Sequence, residues 1–278
     1  MIERFEGAVA VVTGGASGIG RGIATELACR GANVAIADVN EERLEETAEK
    51  LRSFGVKALA ARCDVTSDAD VEGFRDTVER ELGSVDLLCN NAGVAVMGPP
   101  ERVLMDDWEW ILQINVLGVV RGIRAFVPGM LERGRGHVVN TSSIAGMWAY
   151  TWSMAPYITS KFAVFGLTET LARRLLPLGI GVSVLCPGAV RTNLGDTVRI
   201  SGVPDATLES WRYLRPPEES PSVTAEEVGV MVADAVLAGR FAIFTSPADD
   251  ARFRTWRLDI DRSLEAAIAE SPPPPPIP

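Results

Sequence analysis

A single histidine, His137, stands in a chain of 278 residues. With one histidine and no cluster of ligating side chains, the composition argues against a zinc-dependent alcohol dehydrogenase and against a Ser-His-Asp hydrolase. Cysteine is nearly as sparse. Cys29, Cys63, Cys89 and Cys186 lie far apart and no Cys-x-x-Cys occurs, so no zinc knuckle or redox pair is indicated and all four read as small buried hydrophobes. Positive charge is in deficit, 27 Lys and Arg against 37 Asp and Glu, for a net charge of −10 with no basic run. That balance argues against nucleic acid or an anionic membrane as a partner. No apolar run approaches the roughly 20 residues needed to span a bilayer. The opening MIERFEGAVAVVTGG carries acids where a signal peptide needs positive charge, so a cytoplasmic location is the expectation. No metal is expected. Acid–base chemistry is left to carboxylate, lysine, tyrosine or cysteine.

What is present is ordinary for a globular protein, 47% hydrophobic and 23% charged. Apolar runs at 8–13, 33–38, 56–63, 85–90, 136–142, 180–187 and 241–245 read as strands. Amphipathic stretches at 20–30, 41–54, 68–82, 107–130, 156–176 and 225–238 read as helices. Continuous rather than alternating apolar strands are covered on both faces. Strand–helix alternation of this kind predicts an α/β fold, a Rossmann-type doubly wound parallel sheet of about seven strands. No composition shift or repeat marks a second unit, so residues 1–270 are expected to form one domain. Within it, 193–223 reads as a substrate lid and 249–270 as a C-terminal helical extension; the proline-rich 271–278 reads as a disordered tail.

The first strand runs into Thr13-Gly14-Gly15-Ala16-Ser17-Gly18-Ile19-Gly20 and then a helix. Glycines there permit a tight turn and let backbone N–H groups approach a pyrophosphate at the helix N-terminus. The second strand ends in Asp38, eighteen positions after Gly20, where a carboxylate accepts hydrogen bonds from ribose hydroxyls and repels a 2′-phosphate. Val39 and Asn40 follow rather than a basic residue, so NAD is expected and NADP is not. The third strand ends in Cys63-Asp64-Val65, with Asp64 placed either to meet the adenine edge or to cap a helix. The fourth ends in the polar turn Asn90-Asn91-Ala92-Gly93, at the strand end where ligands of such sheets sit. Asn115, amid Ile114 and Val116, needs a specific hydrogen-bond partner if it is buried.

In Tyr157-Ile-Thr-Ser-Lys161 the i, i+4 spacing puts a phenol and an ammonium on one helix face. A free tyrosine has a pKa of ~10, and a nearby cation moves it toward the working range. Ser143, fourteen residues earlier, is a hydroxyl able to hold the oxygen of an alcohol or carbonyl. Aromatic and apolar residues cluster around these groups: Val94 after the asparagine turn, Trp148 and Trp152 after Ser143, and Trp211 within the insertion. Together with Ser143 they predict an apolar, partly aromatic substrate pocket.

Taken in order, these motifs resemble the short-chain dehydrogenase/reductase family in its short single-domain branch. The matches are TGxxxGIG at 13–20, Asp38, Asp64-Val65, Asn90-Asn91-Ala92-Gly93, Asn115, Ser143, YxxxK at 157–161 and Pro187-Gly188. The resemblance implies a catalytic set of Asn115, Ser143, Tyr157 and Lys161. Tyr157 would be the acid/base and Ser143 would polarise the substrate oxygen. Lys161 would lower the tyrosine pKa and bind the nicotinamide ribose, and Asn115 would hold a relay water. It also implies cofactor contacts from Gly14, Ser17, Gly18, Ile19, Gly20, Asp38, Asp64, Val65, Asn91, Ala92, Gly93, Tyr157, Lys161, Pro187, Gly188, Val190 and Thr192. The expected activity is NAD-linked interconversion of a hydrophobic secondary alcohol, aryl or steroid-like, and its ketone. The alternatives are a non-catalytic NAD-binding regulatory protein or a relative acting on a sugar or acyl substrate. A homodimer or homotetramer is the family-like expectation. The chain departs from the family after 241, where a helical stretch replaces the glycine-rich tail of many relatives.

Overall fold

The computed structural model describes residues 2–204 and 223–259, together with Ser263 and Ala266. Trp211, most of the insertion, the far end of the C-terminal extension and the proline-rich tail lie outside them. Seven parallel strands form the central sheet in the order β3-β2-β1-β4-β6-β7-β9. They are β1 (Val9–Thr13), β2 (Asn33–Asp38), β3 (Ala58–Arg62), β4 (Leu87–Asn90), β6 (Gly136–Thr141), β7 (Ile180–Cys186) and β9 (Ala242–Phe244). The predicted doubly wound parallel sheet is therefore the observed one; β2 has the expected bounds and the other six strands are one to three residues shorter. β5 (Val96–Met97) and β8 (Arg199–Ile200), which the apolar runs did not announce, form a separate parallel pair.

Side chains alternate across the sheet, as pleating requires. Ala10, Val12, Val34 and Ile36 face α1 (Gly18–Cys29), α2 (Glu41–Arg52) and α7 (Ala225–Leu237), packing on Ile23, Leu27, Leu44, Leu51, Val228 and Val232. Val9, Val11, Ala35 and Val138 face the other way, onto Phe74 and Val78 of α3 (Asp68–Glu81). The same layer holds Phe126 and Met130 of α5 (Gly118–Arg133), and Ala172 and Leu175 of α6 (Ala155–Leu175). Each fully buried Leu or Phe in these layers stabilises the fold by roughly 1.5–3 kcal/mol. Local signals set the helix starts. Asn40 accepts from the Arg43 N–H at 2.9 Å, Ser67 from Asp70 at 3.2 Å, and Thr224 and Glu227 cap each other reciprocally.

The helix expected at 107–130 is three pieces: α4 (Met105–Leu112), a π-turn (Gln113–Leu117) and α5. Asn115 lies in the π-turn and is buried, four residues from buried Ile111 and four from buried Val119. By length and composition 105–133 could also cross a membrane. Here Ala125, Phe126, Val127 and Met130 are packed into the core. The sheet order reverses between β1 and β4, and the cleft opens there beyond the carboxyl ends of the strands.

The lone histidine lies at the opposite end of the sheet. Ser183 Oγ donates to the Arg240 carbonyl at 2.6 Å, so it can only accept from His137 Nε2–H at 2.8 Å. That fixes the tautomer and leaves Nδ1 buried without a partner among the described residues. Burial pushes the imidazole pKa down from 6.5 to about 4. The folded-state pKa lies below the unfolded one, so this stability is complete above pH 6.5 and is lost as pH falls toward 4. The expected loss is about 3 kcal/mol. The one imidazole proton signal in the NMR spectrum should show no titration above about pH 5 while the protein is folded. A midpoint near 6.5 would show that the ring is hydrated.

Candidate active site

The cofactor end is built from the strand ends nearest the switch point. Gly14 (φ +64°) and Gly18 (φ +49°) adopt backbone conformations that disfavour other residues. A Cβ at Gly20 would run into the Gly14 carbonyl and the Asn91 amide, so the loop closes only on glycine there. Asn91 fastens it. Its backbone N–H donates to Thr13 Oγ1 at 3.0 Å, and its side-chain amide donates to the Thr13 and Gly14 carbonyls at 3.2 and 3.3 Å. Unlike α2, α3 and α7, α1 has no side-chain cap and no acid in its first turn, so its leading N–H groups and positive dipole end face the cleft. The loop therefore fits a dinucleotide pyrophosphate. Asp38 accepts from Ala16 N–H at 3.2 Å and Asn40 N–H at 3.1 Å, which orients its carboxylate at the mouth. Asp64 spends Oδ1 on the Thr66 N–H and hydroxyl, at 2.9 and 2.8 Å, so it holds a local turn; the cap of α3 is Ser67 rather than Asp64.

At the other end β6 delivers Ser143 and α6 delivers Tyr157 and Lys161. Ser143 accepts from the Ala145 N–H at 3.1 Å and hydrogen-bonds the Tyr157 side chain. Lys161 Nζ donates to the Thr141 carbonyl at 3.0 Å and sits 5.6 Å from the centre of the Tyr157 ring. Both side chains are buried, Tyr157 at 8% and Lys161 at 4% exposure. The protein's own groups do not set the tyrosine pKa as the spacing suggested. Burial pushes it above 10, and the opposing pull comes from the Ser143 hydrogen bond. Burial also pushes Lys161 down from 10.5 to about 8. The lysine is thus a strained cation close to its titration point, whose charge reaches its full effect only when water is excluded around it.

Asn115 is 1% exposed. Its Oδ1 accepts from the Val94 N–H at 2.8 Å, and its Nδ2 donates to the Val94 carbonyl at 3.0 Å and to Ser160 Oγ at 2.9 Å. The side chain ties the segment after Gly93 to α6.

The cleft has a volume of about 420 Å³. Gly14, Ser17, Gly18, Ile19, Asp38, Asp64, Val65, Asn91, Ala92, Gly93 and Val94 line it, as do Ser143, Tyr157, Lys161, Pro187, Gly188, Val190 and Thr192. Gly20 and Asn115 stand behind that lining. Of the expected aromatic wall, Trp148 is elsewhere. At 2% exposure it packs with Phe165, Phe244 and Phe253 under α8 (Pro247–Leu258), and the Arg252 guanidinium lies 5.7 Å from its ring. Trp152 is half-buried and does not line the cleft among the described residues. Trp211 lies outside them. Further lining comes from Ile114, Leu194 and Thr197. Leu194 and Thr197 fall within the stretch expected as a lid. Ile114, next to Asn115, and Arg43, on the helix that follows Asp38, were not singled out in the sequence.

A glycine loop at a switch point, an uncapped helix start and a buried Ser-Tyr-Lys set define a nucleotide-dependent oxidoreductase. The comparisons agree. The short chain dehydrogenase family model matches residues 8–201. A 3beta-hydroxysteroid dehydrogenase of Eggerthella lenta is 39% identical over 195 residues, 69% of this chain and 75% of that protein. D-threitol dehydrogenase of Mycolicibacterium smegmatis is 35% identical over 86% of this chain and 95% of its own. A short chain dehydrogenase/reductase from Burkholderia phymatum, solved in complex with NAD, is 36% identical over 100% of both chains, with a TM-score of 0.85. The chain belongs to the short-chain dehydrogenase/reductase family and is an oxidoreductase acting on alcohols.

Proposed function

We propose that the protein uses NAD to interconvert a neutral, hydrophobic secondary alcohol and its ketone. The observation that carries this reading is the buried Ser143–Tyr157–Lys161 arrangement in the cleft, with Val94 packed in the same apolar cluster as Tyr157. Apart from Asp38, Arg43 and Asp64 on the cofactor side, Lys161 is the one charged residue of the described lining, so no arginine stands beside Tyr157 to grip a substrate carboxylate or phosphate. Arg199 is turned onto Trp110 and Asp107.

When bound, the nicotinamide ring supplies the hydride chemistry, accepting or returning two electrons. The chain's own groups do the rest. Gly18, Ile19 and the start of α1 hold the pyrophosphate, and Asp38 holds the adenosine ribose. Ser143 orients the substrate oxygen. The Tyr157 phenolate takes the alcohol proton during oxidation and becomes the phenol, and the phenol gives that proton to the ketone oxygen during reduction. Lys161 stabilises the phenolate form that precedes oxidation and follows reduction. Apolar walls exclude water and so strengthen each of these interactions.

Asp38 supports NAD over NADP, although Arg43 lines the same end of the cleft. With NAD as the preferred acceptor, Asp38→Ser should raise the NADP-to-NAD ratio of kcat/KM by about 10–100-fold, about 1.4–2.7 kcal/mol of removed repulsion. A panel of aliphatic, aryl and steroid alcohols, followed by NADH absorbance with NADPH in parallel, tests the reading. Tight NADH binding without turnover of any alcohol or ketone would turn it toward a binding protein. A homodimer through α5 and α6 belongs to the same reading; it is supported by exposed Leu117, in the π-turn leading into α5, and exposed Phe162 on α6.

A further inference from the structure

Beyond Thr192 the chain makes a short turn, Asn193–Thr197, that walls the substrate end of the cleft, and then enters β8. Two separate anchors hold this stretch. On the cofactor side, Val190 bridges Val223, and the Arg191 N–H donates to the Val223 carbonyl at 3.0 Å. On the substrate side, the Arg199 N–H donates to the Ala95 carbonyl at 3.1 Å and the Ser201 N–H to the Met97 carbonyl at 2.8 Å. A ladder of two residues per strand does not hold itself together in water. The side chain of Arg199 supplies what it lacks. Its guanidinium carbon lies 3.5 Å above the Trp110 ring, and its Nη1 lies 3.1 Å from Asp107 Oδ1, a carboxylate only 16% exposed. The Arg199 side chain is itself 48% exposed, so the ion pair alone adds little; the planar stack on the indole, with the mostly buried Asp107 behind it, gives the clasp its hold. Between this pin and the cleft lies Val198, which packs in one cluster with Val94, Ile111 and the Tyr157 ring.

We propose that Arg199 is a positioning residue for the substrate: by clasping β8 to Trp110 and Asp107 of α4 it sets the wall formed by Leu194, Thr197 and Val198 in front of Tyr157. It touches neither substrate nor cofactor. Its effect is to present a pre-formed apolar wall, so that the substrate does not have to order that segment as it binds. The cofactor side, held by Val223, is independent of it. The effect on substrate rests on the alcohol-oxidoreductase reading; the clasp itself does not.

Two measurements on Arg199→Ala and Arg199→Lys, made beside the wild type, test it. Hydrogen exchange of the peptide spanning 195–202 reads the clasp without any substrate. Arg199→Ala should speed exchange there at least tenfold and leave 180–190 unchanged, with Arg199→Lys intermediate because the charge to Asp107 is kept and the planar stack is lost. Kinetics with the best alcohol of the panel read the consequence. Arg199→Ala should raise the alcohol KM at least fivefold, with Arg199→Lys between it and the wild type, while the NADH Kd measured by fluorescence stays within twofold. Equal exchange at 195–202 in wild type and Arg199→Ala would overturn the clasp, even if no alcohol is ever turned over. Loosened exchange with unchanged alcohol KM, or a parallel loss of NADH affinity, would overturn its role in positioning substrate. A wild type that turns over no alcohol would instead contradict the reading of the reaction, leaving exchange to decide the clasp.

Discussion

Tyr157→Phe should cut kcat/KM for the alcohol by about a thousandfold, the range of a positioned general acid/base. The ring stays in place, so the hydrophobic cluster of Val94, Ile111 and Ile158 around it is kept. What is lost is one hydroxyl and its hydrogen bond with Ser143. NADH binding should stay within about twofold, because a group acting only in the transition state leaves ground-state affinity intact. Unfolding of the variant by urea should begin no more than about 1 kcal/mol earlier, the net worth of a hydrogen bond. A variant that keeps more than about a tenth of wild-type activity would remove Tyr157 from the proton transfer.

Lys161→Met should be nearly inactive and yet more stable than the parent when no nucleotide is added. Lys161 is 4% exposed, and burial lowers its pKa from 10.5 to about 8. The folded-state pKa is below the unfolded one, so between pH 8 and 10.5 the unfolded chain binds more protons and stability rises with pH. Below pH 8 both states are protonated and the fold bears the whole cost, about 3 kcal/mol for that shift. Methionine keeps the length and removes the charge, at the loss of the hydrogen bond to the Thr141 carbonyl, about 1 kcal/mol. A net gain of about 1–3 kcal/mol at pH 7 follows, shrinking toward zero near pH 10. Urea unfolding at the two pH values reads it. A variant less stable than wild type at pH 7 would mean that Lys161 is satisfied rather than strained.

What could be read in the residues was whatever a single element or turn determines. The glycine loop, Asp38 and the Tyr157–Lys161 pair depend on spacing along one strand end or one helix, and the structure brings them to one cleft. Trp148 did not follow from its neighbourhood after Ser143, because its surroundings depend on α8, a hundred residues later, whose Phe253 and Trp256 cover it. Asn115 was recognised as needing a partner, but the π-turn that aims it at Val94 and Ser160 has no signature in the apolar repeat. The β5–β8 pair was invisible for the same reason as Trp148. Two-residue strands carry no periodicity, and the contacts around this pair, Arg199 on Trp110 and Asp107 and the Leu104 N–H on Ser201 Oγ, come from residues about a hundred positions apart. Electrostatics were the least legible part. Spacing placed the lysine beside the phenol, but whether the charge or the burial wins depends on solvent exposure, which sequence does not carry.

The central claim is hydride exchange between a carbinol carbon and nicotinamide in this cleft, with Tyr157 handling the proton. Its most direct test is an alcohol from the panel deuterated at the carbinol carbon, incubated with NAD and the protein, with the recovered nicotinamide read by NMR. Deuterium on the nicotinamide ring, on one face only, with transfer lost in Tyr157→Phe, is the predicted result. Ketone formed without label in the nucleotide, or label transfer that persists undiminished in Tyr157→Phe, would contradict it.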